Sequence, residues 1–222
     1  MNSEATLEST NSFSIRKTLY FIIKRLFDII CSLIGCVFLL PIALIVKISY
    51  ILNKDYASIF FSQDRIGKNG KTFKFYKFRS MVVGADKVLE ELLKNNKEAR
   101  EEYKLNKKLK NDPRITKMGK ILRKTSLDEL PQLINVLKGD MSLIGNRPYL
   151  PREKEDMGKS FETIVKTKPG LTGYWQVSGR SNTTFEERLK LEEYYSNHAS
   201  LKMDIKILFK TVYVVLFHKG AE

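Results

Sequence analysis

An uninterrupted apolar stretch near the N-terminus is the strongest feature of the hydrophobic pattern. Residues 29–46 contain no charged side chain. At ~1.5 Å per residue, a helix of this length just matches a hydrocarbon core of ~30 Å. Pro41 lies in the second half of the stretch and predicts a kink, because proline lacks the amide hydrogen and clashes with the carbonyl four residues earlier. The pattern therefore predicts a membrane-associated helix that is broken at Pro41.

Basic residues flank the apolar stretch on both sides. They are Arg16, Lys17, Lys24, Arg25, Lys47 and Lys54. Because Lys and Arg flanks favour the cytoplasmic side, both ends are predicted to be cytoplasmic, and a re-entrant helix-break-helix hairpin is favoured over a straight span. Asp28 is expected to pair with Lys24 and Arg25 at the headgroup level.

Beyond this stretch the pattern predicts an α+β fold that is mainly helical. A turn from Lys68 to Gly70, between alternating aromatic and basic positions, predicts a short β-hairpin. The charged segment 84–110 has leucines at helical spacing and predicts a surface helix, and residues 127–137 predict another helix. The C-terminal run 211–217 is uncharged but too short to span a membrane, which fits a core helix or one lying in the membrane interface.

The pattern divides the chain into three parts. Residues 1–15 are polar, without the basic and apolar regions of a signal peptide, and are predicted to be a disordered tail. Residues 16–52 are predicted to form the re-entrant membrane helix. Residues 53–222 are predicted to form one compact cytoplasmic domain surrounded by amphipathic interfacial helices.

Charge and cysteine content narrow the function. The 222 residues include 39 basic and 25 acidic side chains, a formal net charge of +14. This excess predicts an anionic partner, which could be nucleic acid, a phospholipid surface or a phosphorylated substrate. Cys31 and Cys36 both lie in the apolar stretch, without a Cys/His cluster at metal-ligand spacing, which indicates a reduced, intracellular active part.

The segment SLDELPQL, residues 126–133, places two carboxylates side by side. Ser126 and Glu129 have the spacing of a capping box, and Asp128 lies in the first turn, so a capped helix is the ordinary interpretation. Side chains of adjacent helical residues diverge by about 100°. The two carboxylates therefore cannot bind one ligand from symmetric positions. One of them could act as a nucleophile while the other binds a metal or positions a proton. Nearby basic residues would keep an aspartate ionised and nucleophilic.

Two further segments allow a structural and a functional interpretation. The aromatic and basic residues from Phe73 to Arg79 could stack nucleic-acid bases, or could form one apolar face of a two-sided strand. The glycine-rich segment around Trp175, which ends at Arg180, could be a ligand loop or a tight structural turn. It is neither a P-loop nor a dinucleotide-binding loop.

Together these motifs resemble the bacterial sugar transferases, which are monotopic polyprenyl-phosphate phosphoglycosyl transferases. The resemblance runs from about Lys24 to the C-terminus through KRLFD, the Pro-broken apolar run, FSQDRIGKNGKTFKFYKFRSM, NDPRIT, LRKTSLDELPQLINVLKGDMSLIGNRP and KPGLTGYWQVSGR. Several long motifs in the right order are far more specific than one acidic pair. The chain resembles the small form of the family, without the extra transmembrane bundle and accessory domain of longer members.

The resemblance implies transfer of a sugar 1-phosphate from a UDP-sugar to undecaprenyl phosphate, with release of UMP and with Mg²⁺ as cofactor. It implies that Asp128 is the nucleophile that forms a sugar-phospho-aspartyl intermediate. Glu129 and Asp128 would bind Mg²⁺ or position the reacting groups, Arg147 with Pro148 would bind phosphate, and Pro41 would break the re-entrant helix. The enzyme would act at the cytoplasmic face of the bacterial inner membrane, in exopolysaccharide, capsule, O-antigen or glycoconjugate synthesis.

The substrate and the partners follow from the same resemblance. The residues expected to bind substrate phosphate or nucleotide are Arg79, Arg114, Arg123, Arg147, Pro148 and Arg180. The segment GYWQVSGR is closest to members that use simple hexoses, so UDP-galactose or UDP-glucose is expected first and an N-acetylhexosamine next. Membrane lipid is an expected partner and nucleic acid is not, while downstream glycosyltransferases and an oligomer remain open. The alternatives are a membrane-tethered nucleic-acid-binding module or a scaffold, and neither gives Asp128 a role.

Overall fold

The computed structural model describes the backbone of residues 2–106, 109–179 and 183–216, and the side chains of residues 15, 17–104, 109–179 and 183–214 within them. The helices are α1 (Asn2–Leu52), α2 (Ala85–Asn95), α3 (Lys97–Asn106), α4 (Lys117–Lys124), α5 (Gln132–Lys138), α6 (Lys154–Met157), α7 (Ser160–Ile164), α8 (Tyr174–Ser178), α9 (Phe185–His198) and α10 (Leu201–Leu216). The strands are β1 (Phe60–Ile66), β2 (Thr72–Phe78), β3 (Ser142–Ile144) and β4 (Gly170–Thr172). The fold is mainly helical, as the sequence predicts.

Helix α1 has the length and composition of a membrane helix. Its segment Lys17–Leu52 is 36 residues long and strongly apolar, and only 17% of its most apolar stretch is buried. Large apolar side chains are exposed along the segment, including Ile22, Leu26, Ile30, Leu33, Val37, Phe38, Leu40 and Leu44. The helix is therefore compatible with membrane association.

Helix α1 continues through Pro41 without a break, so the predicted hairpin is not seen as two separate helices. The helical backbone also begins at Asn2, within the segment predicted to be a disordered tail. That tail and the predicted boundaries at 16–52 and 53–222 stay predictions.

Backbone contacts divide the chain into two compact units, which are described separately. The first consists of Met1–Phe38, Ser62–Phe75 and Gln132–Glu222, and the second of Leu39–Phe61 and Tyr76–Pro131.

The charged residues of KRLFD bind α1 to three different elements of the first unit. Lys24 Nζ lies 2.6 Å from Asp204 Oδ2 of α10. Arg25 donates to the carbonyl oxygens of Val136 and Leu137, at 2.6 and 2.7 Å, in the last turn of α5. Carbonyls at a helix C-terminus lack partners within the helix, so this arginine caps α5.

Asp28, the last residue of KRLFD, binds the start of β3. Its Oδ1 accepts hydrogen bonds from Ser142 Oγ at 3.0 Å and from the Leu143 amide at 2.8 Å. Among the described residues Asp28 forms no direct ion pair with Lys24 or Arg25, because those cations bind α10 and α5, but both still act on it electrostatically. The N-terminal part of α1 is an integral part of the first unit.

The predicted hairpin is confirmed. Strands β1 and β2 pair with each other, and the five residues that join them are too few for a parallel crossover. The turn uses Asn69 at φ 58° and Gly70 at φ 75°, the positive φ values that an Asn-Gly pair tolerates.

A second pair of strands, which the sequence did not reveal, holds the glycine-rich segment. Strands β3 and β4 are parallel, with Ser142 opposite Gly170 and Ile144 opposite Thr172. A Cβ atom on Gly170 or on Gly173 would overlap the backbone of Gly145. These two glycines therefore permit close backbone approach, which favours the structural interpretation of this segment.

The second unit packs around the end of α1 and the end of β2. Its buried core consists of Leu39, Val46, Tyr50, Ile59, Phe78 and Leu122. The surface helix predicted for 84–110 is present as two helices, α2 and α3, which are separated at Asn96.

The last helix of the first unit, α10, has one buried and one exposed face. Ile207 is 1% exposed and packs in the core, whereas Phe209 is 72% exposed. The core environment is thus present along the described part of this helix, and its location in the membrane interface stays a prediction.

Candidate active site

The two adjacent carboxylates lie on a short 3-10 turn, Leu127–Glu129, in the second unit. The predicted capping box is wrong: Ser126 has a left-handed backbone, with φ 57° and ψ 15°, and its side chain makes no capping hydrogen bond. The predicted continuous helix 127–137 is also wrong. Pro131 cannot donate a helical hydrogen bond, and α5 begins only at Gln132.

Both carboxylates face one lysine of β2. Lys77 Nζ lies 2.9 Å from Glu129 Oε1 and 3.6 Å from Asp128 Oδ2. The expected divergence of the two side chains does not prevent them from sharing a cation. The side chain of Asp128 is 12% exposed and that of Glu129 is 41% exposed. The site therefore has one buried carboxylate and one that is open to solvent.

Sequence reasoning did not assign Lys77 to the site, although a signal was present. By strand alternation, Lys77 shares a face of β2 with Phe73 and Phe75. The ammonium group of a lysine at the end of an apolar face loses part of its hydration, and such a charge is usually paired with a carboxylate. The position of Lys77 therefore predicts acidic side chains near this end of β2.

Burial is the largest influence on Asp128 and raises the pKa of its carboxyl group. Lys77 and Arg123 act in the opposite direction, while Glu129 raises the pKa further. The basic neighbours Lys77 and Arg123 favour the ionised carboxylate, as the sequence predicts, but loss of hydration outweighs their attraction, so the net shift of the pKa is upward. A buried carboxyl group with a shifted pKa and a specific cationic partner is typical of a functional site.

Arg79 is fully engaged in holding the second unit together. Its two terminal nitrogens each lie 2.9 Å from an oxygen of Asp55, and Nε donates to the carbonyl of Ser58 at 2.7 Å. The guanidinium also stacks 4.4 Å from the ring centroid of Tyr50. Its predicted role in phosphate binding stays a prediction, and that role would compete with this ion pair.

Arg114 is likewise paired, and Arg123 is exposed. Arg114 donates from Nε and Nη2 to the two oxygens of Asp112, at 2.8 and 2.7 Å. Arg123 donates from Nε to Ser80 Oγ at 3.0 Å and contributes to the electrostatic field at Asp128. Arg123 is therefore the predicted arginine with the most direct influence on the acidic pair.

Arg147 and Pro148 belong to the first unit, where a buried glutamate holds their backbone. The amide of Arg147 donates to both carboxylate oxygens of Glu192, at 3.1 and 3.2 Å. Glu192 is 1% exposed, and burial raises the pKa of its carboxyl group to about 8. The Arg147 guanidinium lies 5.7 Å from the ring centroid of Trp175, and the Pro148 carbonyl accepts from Arg65 at 3.0 Å.

Sequence reasoning also missed Glu192. It lies on α9 three residues from each of two buried apolar side chains, Leu189 and Tyr195. A glutamate at core spacing among apolar residues was the available signal. Arg180 lies outside the described residues.

The aromatic residues of β2 pack inside the protein rather than forming a stacking platform. Phe75 is 4% exposed and clusters with Val136 and Met141, while Phe78 is 1% exposed and stacks on Phe60. Rings buried in this way cannot receive nucleic-acid bases. Phe75 and Phe78 lie on opposite faces of β2, so the alternative prediction, one apolar face opposite a solvated face, is wrong as well, because both faces carry a buried ring.

With this geometry in view, the sequence can be compared with known proteins. A model of the bacterial sugar transferase family matches residues 19–218. The chain belongs to this family. The match includes every residue predicted for the site, from Pro41 to Arg180.

This sugar transferase is similar to several named proteins. It is 47% identical over 199 residues to the undecaprenyl-phosphate galactose phosphotransferase of Salmonella typhimurium, an alignment that covers 90% of this chain and 41% of that protein. It is 42% identical over 198 residues to the exopolysaccharide production protein ExoY of Sinorhizobium fredii, covering 89% and 87%. It is 36% identical over 209 residues to the UDP-glucose:undecaprenyl-phosphate glucose-1-phosphate transferase of Escherichia coli, covering 90% and 41%. The chain thus spans about two fifths of the Salmonella and Escherichia proteins.

Proposed function

We propose that this sugar transferase moves a sugar 1-phosphate from a UDP-sugar to undecaprenyl phosphate and releases UMP. The observation that carries the proposal is the buried carboxylate of Asp128 beside Glu129 and Lys77, in a chain of this family. Galactose is the first sugar to test, because the relative named for galactose is 47% identical and the one named for glucose is 36% identical. The reaction would begin the synthesis of an exopolysaccharide, capsule, O-antigen or other glycoconjugate.

The reaction takes place as two displacements at the β-phosphorus of the UDP-sugar. A carboxylate oxygen of Asp128 attacks this phosphorus, and the bond to the oxygen bridging the two phosphorus atoms breaks. That oxygen leaves with the bonding electrons as part of UMP. An oxygen of the lipid phosphate then attacks the sugar-phospho-aspartyl intermediate, and the aspartyl P–O bond breaks to restore the carboxylate. The soluble and lipid substrates need not be bound together.

The neighbours of Asp128 supply the positive charge that phosphoryl transfer requires. Lys77 is close enough to orient both carboxylates and to lower the pKa of Asp128. Arg123, which is exposed on α4, is available for the substrate diphosphate. Separately, Arg147 with Pro148, in the first unit, is proposed to bind a substrate phosphate.

Two adjacent carboxylates suit Mg²⁺, which commonly takes one or two carboxylates together with substrate phosphate oxygens and water. Among the described residues there is no group of three or more acidic, histidine or cysteine side chains that could hold a metal alone. We propose that Glu129 and Asp128 hold the ion jointly with the substrate. When bound, Mg²⁺ would neutralise charge on the diphosphate.

We propose that α1 is a re-entrant membrane element bent at Pro41, with the protein at the cytoplasmic face of the bacterial inner membrane. The apolar, exposed segment from Lys17 to Leu52 supports a membrane location. Basic residues at both ends of that segment, together with the lost hydrogen bond at Pro41, support a path that enters and leaves on one side. Such a path would hold the active site at the level of the lipid phosphate.

The transfer is tested by measuring UMP release from the full chain in detergent with Mg²⁺, undecaprenyl phosphate and a panel of UDP-sugars. We expect release with a hexose donor, at least 10³-fold slower for Asp128→Asn and unchanged for Asp64→Asn, an exposed aspartate on β1. Without the lipid, a donor labelled in its β-phosphate should label the wild-type protein but not Asp128→Asn. Full turnover by Asp128→Asn would exclude Asp128 as the nucleophile, and no UMP from any donor would contradict the proposed function.

A further inference from the structure

A cavity of about 200 Å³ lies within the first unit, against the N-terminal part of α1. Cationic side chains from three parts of the chain line it: Lys24 and Arg25 of α1, Lys68 of the hairpin turn and Lys168 before β4. Apolar walls are provided by residues such as Phe21 and Ile144. The cavity thus combines converging positive charge with an apolar lining.

The positive charges of the cavity are not fully compensated. Lys24 is neutralised by Asp204, at 2.6 Å. Asp28 is the acidic side chain of the lining, and both groups that donate to its Oδ1, Ser142 Oγ and the Leu143 amide, are neutral. Even with Asp28 ionised, the lining residues Arg25, Lys68 and Lys168 leave positive charge in excess, although Asp140, outside the lining, also attracts Lys168.

Lys68 and Lys168 are the available cations of the cavity. Within the described part of the chain, neither forms an ion pair, whereas Lys24 and Arg25 are held by α10 and α5. Lys68 Nζ lies 5.6 Å from the ring centroid of Phe21. A Cβ atom built on Gly139 would lie 3.5 Å from Lys168 Nζ and 3.5 Å from Arg25 Nη2. The two cationic nitrogens are therefore no more than twice that distance apart.

Such crowding of like charges is unfavourable without an anion between them. Burial, Arg25 and Lys68 together hold the pKa of Lys168 below its usual value. A bound anion would relieve this repulsion and would receive charge-assisted hydrogen bonds from both lysines. A phosphate monoester carries about 1.5 to 2 negative charges at pH 7 and therefore neutralises more of this positive charge than a phosphodiester, which carries only one.

We propose that this cavity binds the phosphate monoester headgroup of a membrane lipid through Lys68 and Lys168. The site lies where Lys24 and Tyr20 of α1 bind Asp204 of α10, and both helices expose apolar side chains, among them Ile22 of α1 and Phe209 of α10. An alkyl chain attached to the phosphate would find apolar surface on these two helices. Two lipids carry this chemistry, a polyprenyl phosphate and phosphatidic acid. The proposal does not require the transfer reaction.

The proposal is tested by titrating the full chain in detergent, at pH 7.5, with undecaprenyl phosphate, phosphatidic acid, phosphatidylglycerol or inorganic phosphate, and detecting bound lipid by native mass spectrometry. We expect saturable binding of a single monoester lipid. Binding should weaken about tenfold or more in the double variant Lys68→Gln/Lys168→Gln, because two charge-assisted bonds are lost. The charge-retaining variant Lys68→Arg/Lys168→Arg should restore most of the affinity, which separates loss of the site from misfolding.

The matched control is Lys71→Gln/Lys166→Gln, which removes the same charge from exposed positions next to the cavity lysines. Equal weakening in the control, equal affinity for phosphatidylglycerol, or binding of inorganic phosphate alone would overturn the proposal. Preference for undecaprenyl phosphate or for phosphatidic acid would identify which of the two monoester lipids occupies the site. A wild-type protein that binds lipid but releases no UMP contradicts the proposed function while supporting this site.

Discussion

At Asp128, burial and the neighbouring cations act on one carboxyl group in opposite directions. Burial raises the pKa, and Lys77 and Arg123 lower it, with burial the larger influence. The ionised carboxylate is therefore less stable in the folded protein than in the unfolded chain. A nucleophile held in this state is more reactive, but the folded protein is less stable for it.

Replacing Asp128 should consequently stabilise the protein while abolishing transfer. A carboxyl group whose pKa is raised on folding destabilises the fold at pH values above its folded pKa, and this effect disappears as the pH falls through the folded and then the unfolded pKa. We expect Asp128→Asn to raise the free energy of unfolding by about 1 kcal/mol at pH 7, measured by denaturant titration in detergent. The control Asp64→Asn, at an exposed ion pair, should change it by less than about 0.5 kcal/mol. A clear destabilisation by Asp128→Asn would show that its ion pair outweighs its burial.

Replacing Lys77 should move the acid limb of the pH–rate profile. Because Lys77 lowers the pKa of Asp128, its removal raises that pKa, so the ionised nucleophile forms only at higher pH. We expect Lys77→Gln to shift the acid limb of kcat/KM upward and to reduce the rate at pH 7 by about 10²-fold. Lys74→Gln, an exposed lysine on the same strand, should leave the profile in place. An unshifted limb in Lys77→Gln would indicate that the limb does not report Asp128.

At the scale of elements, close backbone approach explains the parallel pair β3 and β4. Gly145 and Gly170 face each other where a Cβ atom would overlap backbone atoms rather than flexible side chains. The same contact positions the segment that continues into Arg147, whose amide binds Glu192. The glycine-rich motif is thus required for the geometry around Arg147.

Gly170→Ala should therefore be strongly destabilising. Relief of the overlap requires movement of the backbone, so we expect a loss of more than about 2 kcal/mol in unfolding free energy, or failure to fold. The control is Gly84→Ala, where φ is +72° but no atom lies within 4 Å, and the expected loss is about 1 kcal/mol. Thermal unfolding of both variants in detergent provides the comparison. Equal losses would show that backbone conformation, not close approach, is what glycine provides at position 170.

The elements also show what the sequence could predict. Local signals sufficed for the apolar helix and for the hairpin at Asn69 and Gly70, because neighbouring residues determine both. The sequence identified the carboxylate pair as a candidate catalytic site. The capped helix predicted from Ser126 was wrong, because Ser126 has a left-handed backbone and Pro131 interrupts the helix. Lys77 and Glu192 were missed because their partners lie far away in sequence. Only the fold brings such pairs together.

At the scale of the whole molecule, the net positive charge and the exposed apolar side chains are both compatible with membrane association. The net charge of +14 accompanies a helix whose apolar side chains are largely exposed. Anionic headgroups attract the basic residues, and the hydrocarbon core accepts the apolar ones. Within KRLFD, each charged side chain is bound to another element of the first unit, so this end of α1 is fixed to the protein at the edge of the apolar stretch.

The membrane path of α1 gives the last prediction. If Pro41 bends a re-entrant helix, residues before and after it lie on the cytoplasmic side, whereas a straight helix would place one end outside. Single-cysteine variants Ser3→Cys and Tyr56→Cys, in a background with Cys31→Ser and Cys36→Ser, are expected to resist a membrane-impermeant maleimide in intact cells and to react after permeabilisation. Pro41→Leu restores a helical hydrogen bond and should favour a straight span, so Ser3→Cys in that background is expected to gain labelling from outside. Labelling of Ser3→Cys in intact cells without the Pro41 change, while Tyr56→Cys stays protected, would rule out the re-entrant path, because the two ends would then lie on opposite sides of the membrane.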